Sequence, residues 1–221
     1  WLSGLHFHTL CEQGEEDLET TFAAVEERFG DILSKPYIKW LNMGGGHHIT
    51  KEGYNREALC DLIRRVKGKY DVDVYLEPGE AVALDAGYLV TTVMDVVENG
   101  MPILILDASA ACHMPDVLEM PYTPPLQGAR IASGETEGDG GVICRLASRT
   151  CLAGDIIGDY RFDTLPKVGV RLVFEDMAIY SMVKNNTFNG MPLPAIYLEH
   201  EDGECELVKR FGYEDFKGRL S

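Results

Sequence analysis

Trp40-Leu41-Asn42-Met43-Gly44-Gly45-Gly46-His47-His48 is the stretch on which the fold turns. An apolar run ends in three consecutive glycines, so side chains vanish where a strand hands over to a loop. Backbone N–H groups in such a loop can converge on an anion, and a phosphate is the usual guest. A tight strand-to-helix turn with no ligand is the other reading of a bare glycine triplet. A second segment favours the first reading: Asp73-Val74-Tyr75-Leu76-Glu77-Pro78-Gly79-Glu80, also β-rich and ending in an acid, a proline and a glycine. Two strands with functional C-terminal ends, separated by a helix, are laid out as on one face of a parallel α/β barrel.

Working outward, Leu5-His6-Phe7-His8 alternates apolar and polar residues as a strand does, with His6 and His8 on one face. Residues 15–34 predict a helix, because Leu18, Phe22, Val25, Phe29 and Ile32 recur at three- and four-residue steps and acids gather near its start. Pro36 ends it, and a strand over 37–43 feeds the glycines. Residues 55–67 predict a second amphipathic helix (Leu59, Leu62, Ile63, Val66), stopped by Gly68. A third strand covers 73–76. Strand–helix–strand–helix–strand amounts to about three of the eight units of a (β/α)8 barrel.

After Glu80 the texture changes. Residues 83–98 are rich in Val, Thr and Leu, 101–106 form a short apolar strand, and turn signals crowd together. They fall at Gly128, Ser133-Gly134, Gly138, Asp139-Gly140-Gly141, Gly154-Asp155, Gly190 and Asp202-Gly203. Short strands with glycine-rich turns and little helical periodicity predict a β domain. The expected division is therefore an α/β part over 1–82 and an all-β part over 83–221.

Composition bounds the function. The chain has 221 residues, 45% of them hydrophobic, enough for a proper core. No apolar run reaches the roughly 18 residues that a membrane-spanning helix requires. Thirty-six acids against 20 bases give a net charge of −16, which disfavours nucleic acid and anionic membranes and would attract a cation such as a polyamine. The six cysteines are scattered without a C-x-x-C pair and read as reduced thiols of a cytoplasmic protein. His47-His48 and Cys112-His113 are adjacent pairs whose side chains diverge on an extended chain, so no metal site is expected. The opening Trp1-Leu2-Ser3-Gly4 carries no signal-peptide pattern and reads as the middle of a protein.

In this order, His8, the Gly44-Gly45-Gly46 loop, Glu77-Pro78-Gly79, Thr150-Cys151, Ala178-Ile179-Tyr180 and Thr187-Phe188-Asn189-Gly190 resemble the fold-type III pyridoxal-phosphate decarboxylases. That resemblance implies the C-terminal portion of a (β/α)8 cofactor-binding barrel followed by a β-sandwich or β-barrel-like domain. It implies pyridoxal 5'-phosphate as the cofactor. Glu77 would lie beside the pyridine nitrogen and keep it protonated, His8 would stack on the ring, and Gly44, Gly45, Gly46 and Tyr180 would hold the phosphate. Cys151 would protonate the substrate carbon after carbon dioxide leaves, reaching the partner's site in a homodimer with shared active sites. A thiol suits that task because it can give and regain a proton near neutrality. The family's cofactor-bearing lysine is expected upstream of everything present here.

Departures narrow the substrate. Leu152 stands where ornithine-type relatives carry an acid, Glu80 where many carry an arginine, and Cys11 where many carry a serine. Other details, among them Phe7-His8-Thr9-Leu10-Cys11-Glu12 and Thr150-Cys151-Leu152-Ala153-Gly154-Asp155, are most similar to the branch acting on carboxylated triamines, carboxynorspermidine and carboxyspermidine, in polyamine synthesis. The implied substrate is thus a small, cationic, carboxylated polyamine met by Asp107, Glu80 and Asp155. A decarboxylase for another basic amino acid such as diaminopimelate, and an inactive relative that binds a partner, remain the alternatives.

Overall fold

A computed structural model describes residues 2–132 and 140–220, so the turns expected at Ser133-Gly134, Gly138 and Asp139 lie outside the described residues. The chain divides into two compact units, Trp1–Leu84 and Asp85–Ser221.

The first unit is a three-stranded parallel sheet, β1 (Gly4–His6), β2 (Trp40–Asn42) and β3 (Asp73–Tyr75), in that order. Helices α1 (Glu15–Leu33) and α2 (Arg56–Tyr70) make the crossovers, and a single-turn helix α3 (Gly79–Ala83) follows β3. In register, Leu5, Leu41 and Val74 line one face, whereas His6, Asn42 and Tyr75 line the other. The apolar face packs against Leu18, Phe22, Leu59, Leu62 and Val66 of the helices. Burying each such side chain contributes about 2 kcal/mol. Acids Glu15, Glu16 and Asp17 occupy the first turn of α1. The Asn55 side chain accepts the Ala58 N–H to cap α2.

Two helix expectations need correction. Phe29 is 47% exposed, so the packed stripe of α1 runs from Leu18 and Phe22 to Leu33 instead. Helix α2 passes through Gly68 and ends at Asp71, whose left-handed backbone (φ 54°) stops it. A glycine costs a helix only about 1 kcal/mol, and the burial of Tyr70 two residues further on offsets that. The strands are also shorter than expected, because β1 ends at His6 and β2 begins at Trp40.

Among the described residues, the second unit opens with ten elements. In chain order they are β4 (Leu89–Glu98), β5 (Pro102–Leu106), α4 (Ala110–His113), α5 (Asp116–Glu119), β6 (Arg130–Ile131), β7 (Val142–Ala147), β8 (Ile156–Phe162), β9 (Arg171–Phe174), α6 (Tyr180–Val183) and a single 3-10 turn (Phe188–Gly190). A hairpin of β10 (Ile196–Glu199) and β11 (Cys205–Lys209) and a short α7 (Tyr213–Lys217) follow. Six strands form one mixed sheet in the order β6-β8-β7-β5-β4-β9, with β5 and β7 parallel. Among the described residues this is one six-stranded sheet with a separate hairpin, in keeping with the β domain expected here. Its core is Val93, Leu104, Leu106, Cys144, Leu146, Tyr160 and Phe174, all fully buried. Burial pushes the Tyr160 hydroxyl well above the usual phenol range, and it donates to Pro124 O at 2.7 Å.

Strand β4 changes partners midway. Residues 89–92 pair with β9, and residues from Val93 onward pair with β5, with a register shift between Val93 and Asp95. A bulge of this kind re-aims a strand and frees backbone groups. Here the freed N–H of Thr92 donates to Asp107 Oδ1 at 2.7 Å.

Candidate functional site

The first cluster lies at the C-terminal ends of β1, β2 and β3. Asn42 ends β2 on the same face as His6, and its Nδ2 donates to Glu77 Oε1 at 2.7 Å. Its Oδ1 accepts the Gly44 N–H at 2.9 Å, so one amide fixes both the acid and the start of the glycine loop. His6 Nε2 stands 3.8 Å from Glu77 Oε2. Glu77 itself is about half exposed, with a carboxylate open to a ligand. The Gly45 N–H donates to His8 Nδ1 at 2.9 Å, which puts the proton of the neutral imidazole on Nε2 and fixes the ring's orientation.

The glycines have a local reason. A Cβ on Gly44 would lie 2.5 Å from Phe7 O, one on Gly45 2.4 Å from Glu77 O, and one on Gly46 2.2 Å from Leu10 O. The two neighbouring loops press onto this one from both sides, and only glycine admits them. The expected convergence of all three amides on an anion is therefore modified, because Gly44 and Gly45 donate to Asn42 and His8. The N–H groups of Gly46 and His47 donate to nothing among the described residues.

Beneath the loop, His48 Nε2 lies 3.1 Å from Glu80 Oε2, off the line of a hydrogen bond, with the His48 side chain 8% exposed. Glu80 thus has a protein partner. His47 is buried too, and burial lowers its pKa. Thr50 Oγ1 donates to Ala81 O, a further tie between the glycine loop and the segment after Glu77.

The second cluster belongs to the second unit and is centred on Asp155. This carboxylate is 3% exposed and accepts from Ser109 Oγ at 2.7 Å, Thr150 Oγ1 at 2.5 Å and the Ala111 N–H at 3.2 Å. Expected to meet substrate, Asp155 instead has both oxygens engaged by internal donors, since a buried carboxylate must be satisfied locally. What it braces is the β7–β8 hairpin loop, which carries Cys151 exposed near its tip. The Cys151 N–H donates to Asn189 Oδ1 at 2.8 Å. Asn189 is left-handed (φ 56°) and is followed by Gly190 (φ 73°).

Around the brace, His113 accepts the Ser109 N–H at Nδ1 and so donates from Nε2 to Pro192 O at 3.0 Å. Burial lowers its pKa. Asp107 Oδ1 takes the Thr91 hydroxyl as well as the Thr92 N–H, and Oδ2 receives no donor among the described residues. Tyr180 opens α6 with its side chain 47% exposed. Lys184, one turn on, pairs with Asp116 and Glu119, whose hydrogen bonds push its ammonium up to about 12. All six cysteines are free thiols, and burial raises those of Cys112 and Cys144. No group of three potential metal ligands occurs among the described residues.

Of the residues expected from sequence, His8, Gly44, Gly45, Gly46, Glu77 and Glu80 thus come together in the first unit. Cys151 and Asp155 are joined through Thr150 in the second, where Asp107 is bonded at the β4 crossover and Tyr180 stands apart on α6. Sequence reasoning gave no supporting role to Asn42, His48, Asn189 or Ser109. Two left a signal: Asn42 shares the alternation of the strand end, and Asn189-Gly190 is a left-handed turn dipeptide.

Comparison with known proteins adds an independent line. The family model described as pyridoxal-dependent decarboxylase, C-terminal sheet domain, matches residues 22–178. A carboxynorspermidine/carboxyspermidine decarboxylase of Campylobacter jejuni is 44% identical over 99% of this chain and 58% of its own length. A carboxyaminopropylagmatine decarboxylase of Synechocystis is 43% identical over 99% of this chain and 55% of its own length. Among solved structures, carboxynorspermidine decarboxylase complexed with norspermidine from Campylobacter jejuni superposes with a TM-score of 0.89 at 43% identity, covering 99% of this chain and 60% of that one. The chain therefore spans little more than half the length of the relatives it matches.

Proposed function

The chain belongs to the pyridoxal-dependent decarboxylases, and from that premise we propose that the complete protein decarboxylates carboxynorspermidine or carboxyspermidine to norspermidine or spermidine in polyamine synthesis. The observation that carries the reading is the first cluster. An accessible carboxylate, Glu77, is fixed by Asn42 at 2.7 Å, beside an oriented imidazole and a glycine loop with backbone amides free for an anion. Those residues suit the parts of one cofactor. Glu77 would face a pyridinium nitrogen, His8 a ring face, and the Gly46 and His47 amides a phosphate. In the wider frame this unit is the C-terminal part of a (β/α)8 barrel, and the second unit is the β domain completing the active site. The domain division expected at residue 82 belongs to the same proposal.

When bound, pyridoxal phosphate supplies the electron sink that receives the pair released as carbon dioxide leaves. The chain's own residues do the rest. Glu77 would keep the ring nitrogen protonated, and Asn42, donating to Oε1 at 2.7 Å, holds Glu77 in place. Cys151 delivers the proton from Sγ to the carbon that lost its carboxyl group, and the thiolate regains a proton from water. Asp107 Oδ2 is suited to a distal ammonium of the substrate, and Glu80 acts through His48 in holding the glycine loop. We further propose a cytoplasmic homodimer in which Cys151 serves the partner's site.

A second substrate, carboxyaminopropylagmatine, is favoured by the nearly equal identity of the Synechocystis relative. The test is turnover of the complete enzyme on four substrates: carboxynorspermidine, carboxyspermidine, carboxyaminopropylagmatine and diaminopimelate. A kcat/KM at least tenfold higher on either carboxylated triamine supports the assignment. A preference for carboxyaminopropylagmatine moves the substrate, a preference for diaminopimelate rejects the branch, and no visible cofactor absorption rejects the reading altogether.

A further inference from the structure

We infer that Asn189 is a positioning residue for the Cys151 thiol, an inference that rests on Cys151 being the proton donor. The loop bearing Cys151 is gripped at two adjacent residues. On one side Thr150 is anchored through its hydroxyl to the buried Asp155, itself tied to Ser109 and the Ala111 amide. On the other, the backbone N–H of Cys151 donates to Asn189 Oδ1 at 2.8 Å. The first grip belongs to the loop's own framework. The second comes from a residue 38 positions away whose conformation the chain maintains at a cost.

That cost is visible in the backbone. Asn189 has φ 56° and ψ 18°, the left-handed region, which asparagine tolerates better than other residues with a side chain. Its turn is in turn stitched to α4. The Asn186 N–H donates to Cys112 O at 3.0 Å, Asn186 Nδ2 to Ala111 O at 2.7 Å, and the Phe188 N–H to Asn186 Oδ1 at 3.0 Å. Ala111 also donates to Asp155. Both grips therefore trace back to the same short helix, and the backbone bearing the thiol is held in a closed ring of bonds. The amide oxygen at position 189 fixes the backbone from which Sγ swings, and hence the direction in which the proton is presented.

The test is a cycle of variants in the complete enzyme loaded with pyridoxal phosphate. Asn189→Gly keeps the left-handed backbone and deletes the acceptor. It should lower kcat about tenfold, the worth of one hydrogen bond to an aligned group, with KM and the unfolding midpoint unchanged. Asn189→Asp, which keeps an acceptor at the same reach, should restore kcat to within about twofold. In a Cys151→Ala background Asn189→Gly should cost less than about twofold more, because nothing remains to position. Should Asn189→Gly not fold, Asn189→Ser takes its place in the cycle, its shorter side chain no longer spanning to the Cys151 amide. A slow Cys151→Ala beside a wild-type Asn189→Gly, or an equal loss in both backgrounds, overturns the inference and leaves Cys151 as donor. A Cys151→Ala enzyme with wild-type kcat overturns the donor assignment itself.

Discussion

The two clusters are held in opposite ways. In the first unit the candidate side chains His6, His8 and Glu77 are exposed at strand ends, and loop backbone pressed against glycine fixes them from outside. In the second the candidate donor Cys151 hangs from a carboxylate that is itself buried and fully bonded. A site built on loops at a sheet edge can lose a functional group with little loss of fold. A site hung from a buried charge cannot lose its anchor so cheaply, because three donors are orphaned at once.

The largest effect should come from breaking that anchor. Asp155→Ala removes the acceptor of Ser109, Thr150 and Ala111 and should destabilise the protein by about 3 kcal/mol, read from urea unfolding. A loss under about 1 kcal/mol would mean that the hub is not a structural anchor. Next comes Cys151→Ala, which leaves the exposed loop folded and should lower kcat about a hundredfold, the usual worth of a general acid, with an unchanged melting temperature.

In the first unit Glu77→Gln should leave stability and cofactor affinity nearly intact and slow kcat about tenfold, because a neutral amide no longer favours a protonated ring nitrogen. An effect confined to KM would place Glu77 away from that nitrogen. The smallest expected change is a gain. Gly68→Ala lies inside α2 with open space for its methyl group and should stabilise by about 0.5–1 kcal/mol, visible as a higher melting temperature.

That last position also shows where the sequence ran short. The strand–helix alternation of the first unit was legible because α1 and α2 run for 19 and 15 residues with apolar steps of three and four. Gly68 misled because local propensity is weaker than the burial of Tyr70 beyond it. In the second unit α4, α5, α6 and α7 have only four or five residues, too few for a periodic signal. The partner change of β4 depends on pairing with strands far along the chain. The glycine loop, Glu77, His8 and Cys151 were legible as residues. Several of their supports were not, because the bonds run far along the chain: Gly45 to His8 across 37 positions, and Ser109 to Asp155 across 46. Asp155 itself read as a turn residue that would meet substrate, and only tertiary structure shows that it is buried.

The proposal that Cys151 of one subunit completes the site of its partner is tested most directly by complementation. In the complete protein, a subunit lacking the cofactor lysine is mixed with one carrying Cys151→Ala, each nearly inactive alone, under conditions in which subunits exchange. Random pairing makes half the dimers mixed, each with one intact site of two, so about a quarter of wild-type activity should return. Demonstrated exchange with no recovered activity would contradict the shared site and leave Cys151 acting within its own subunit or not at all.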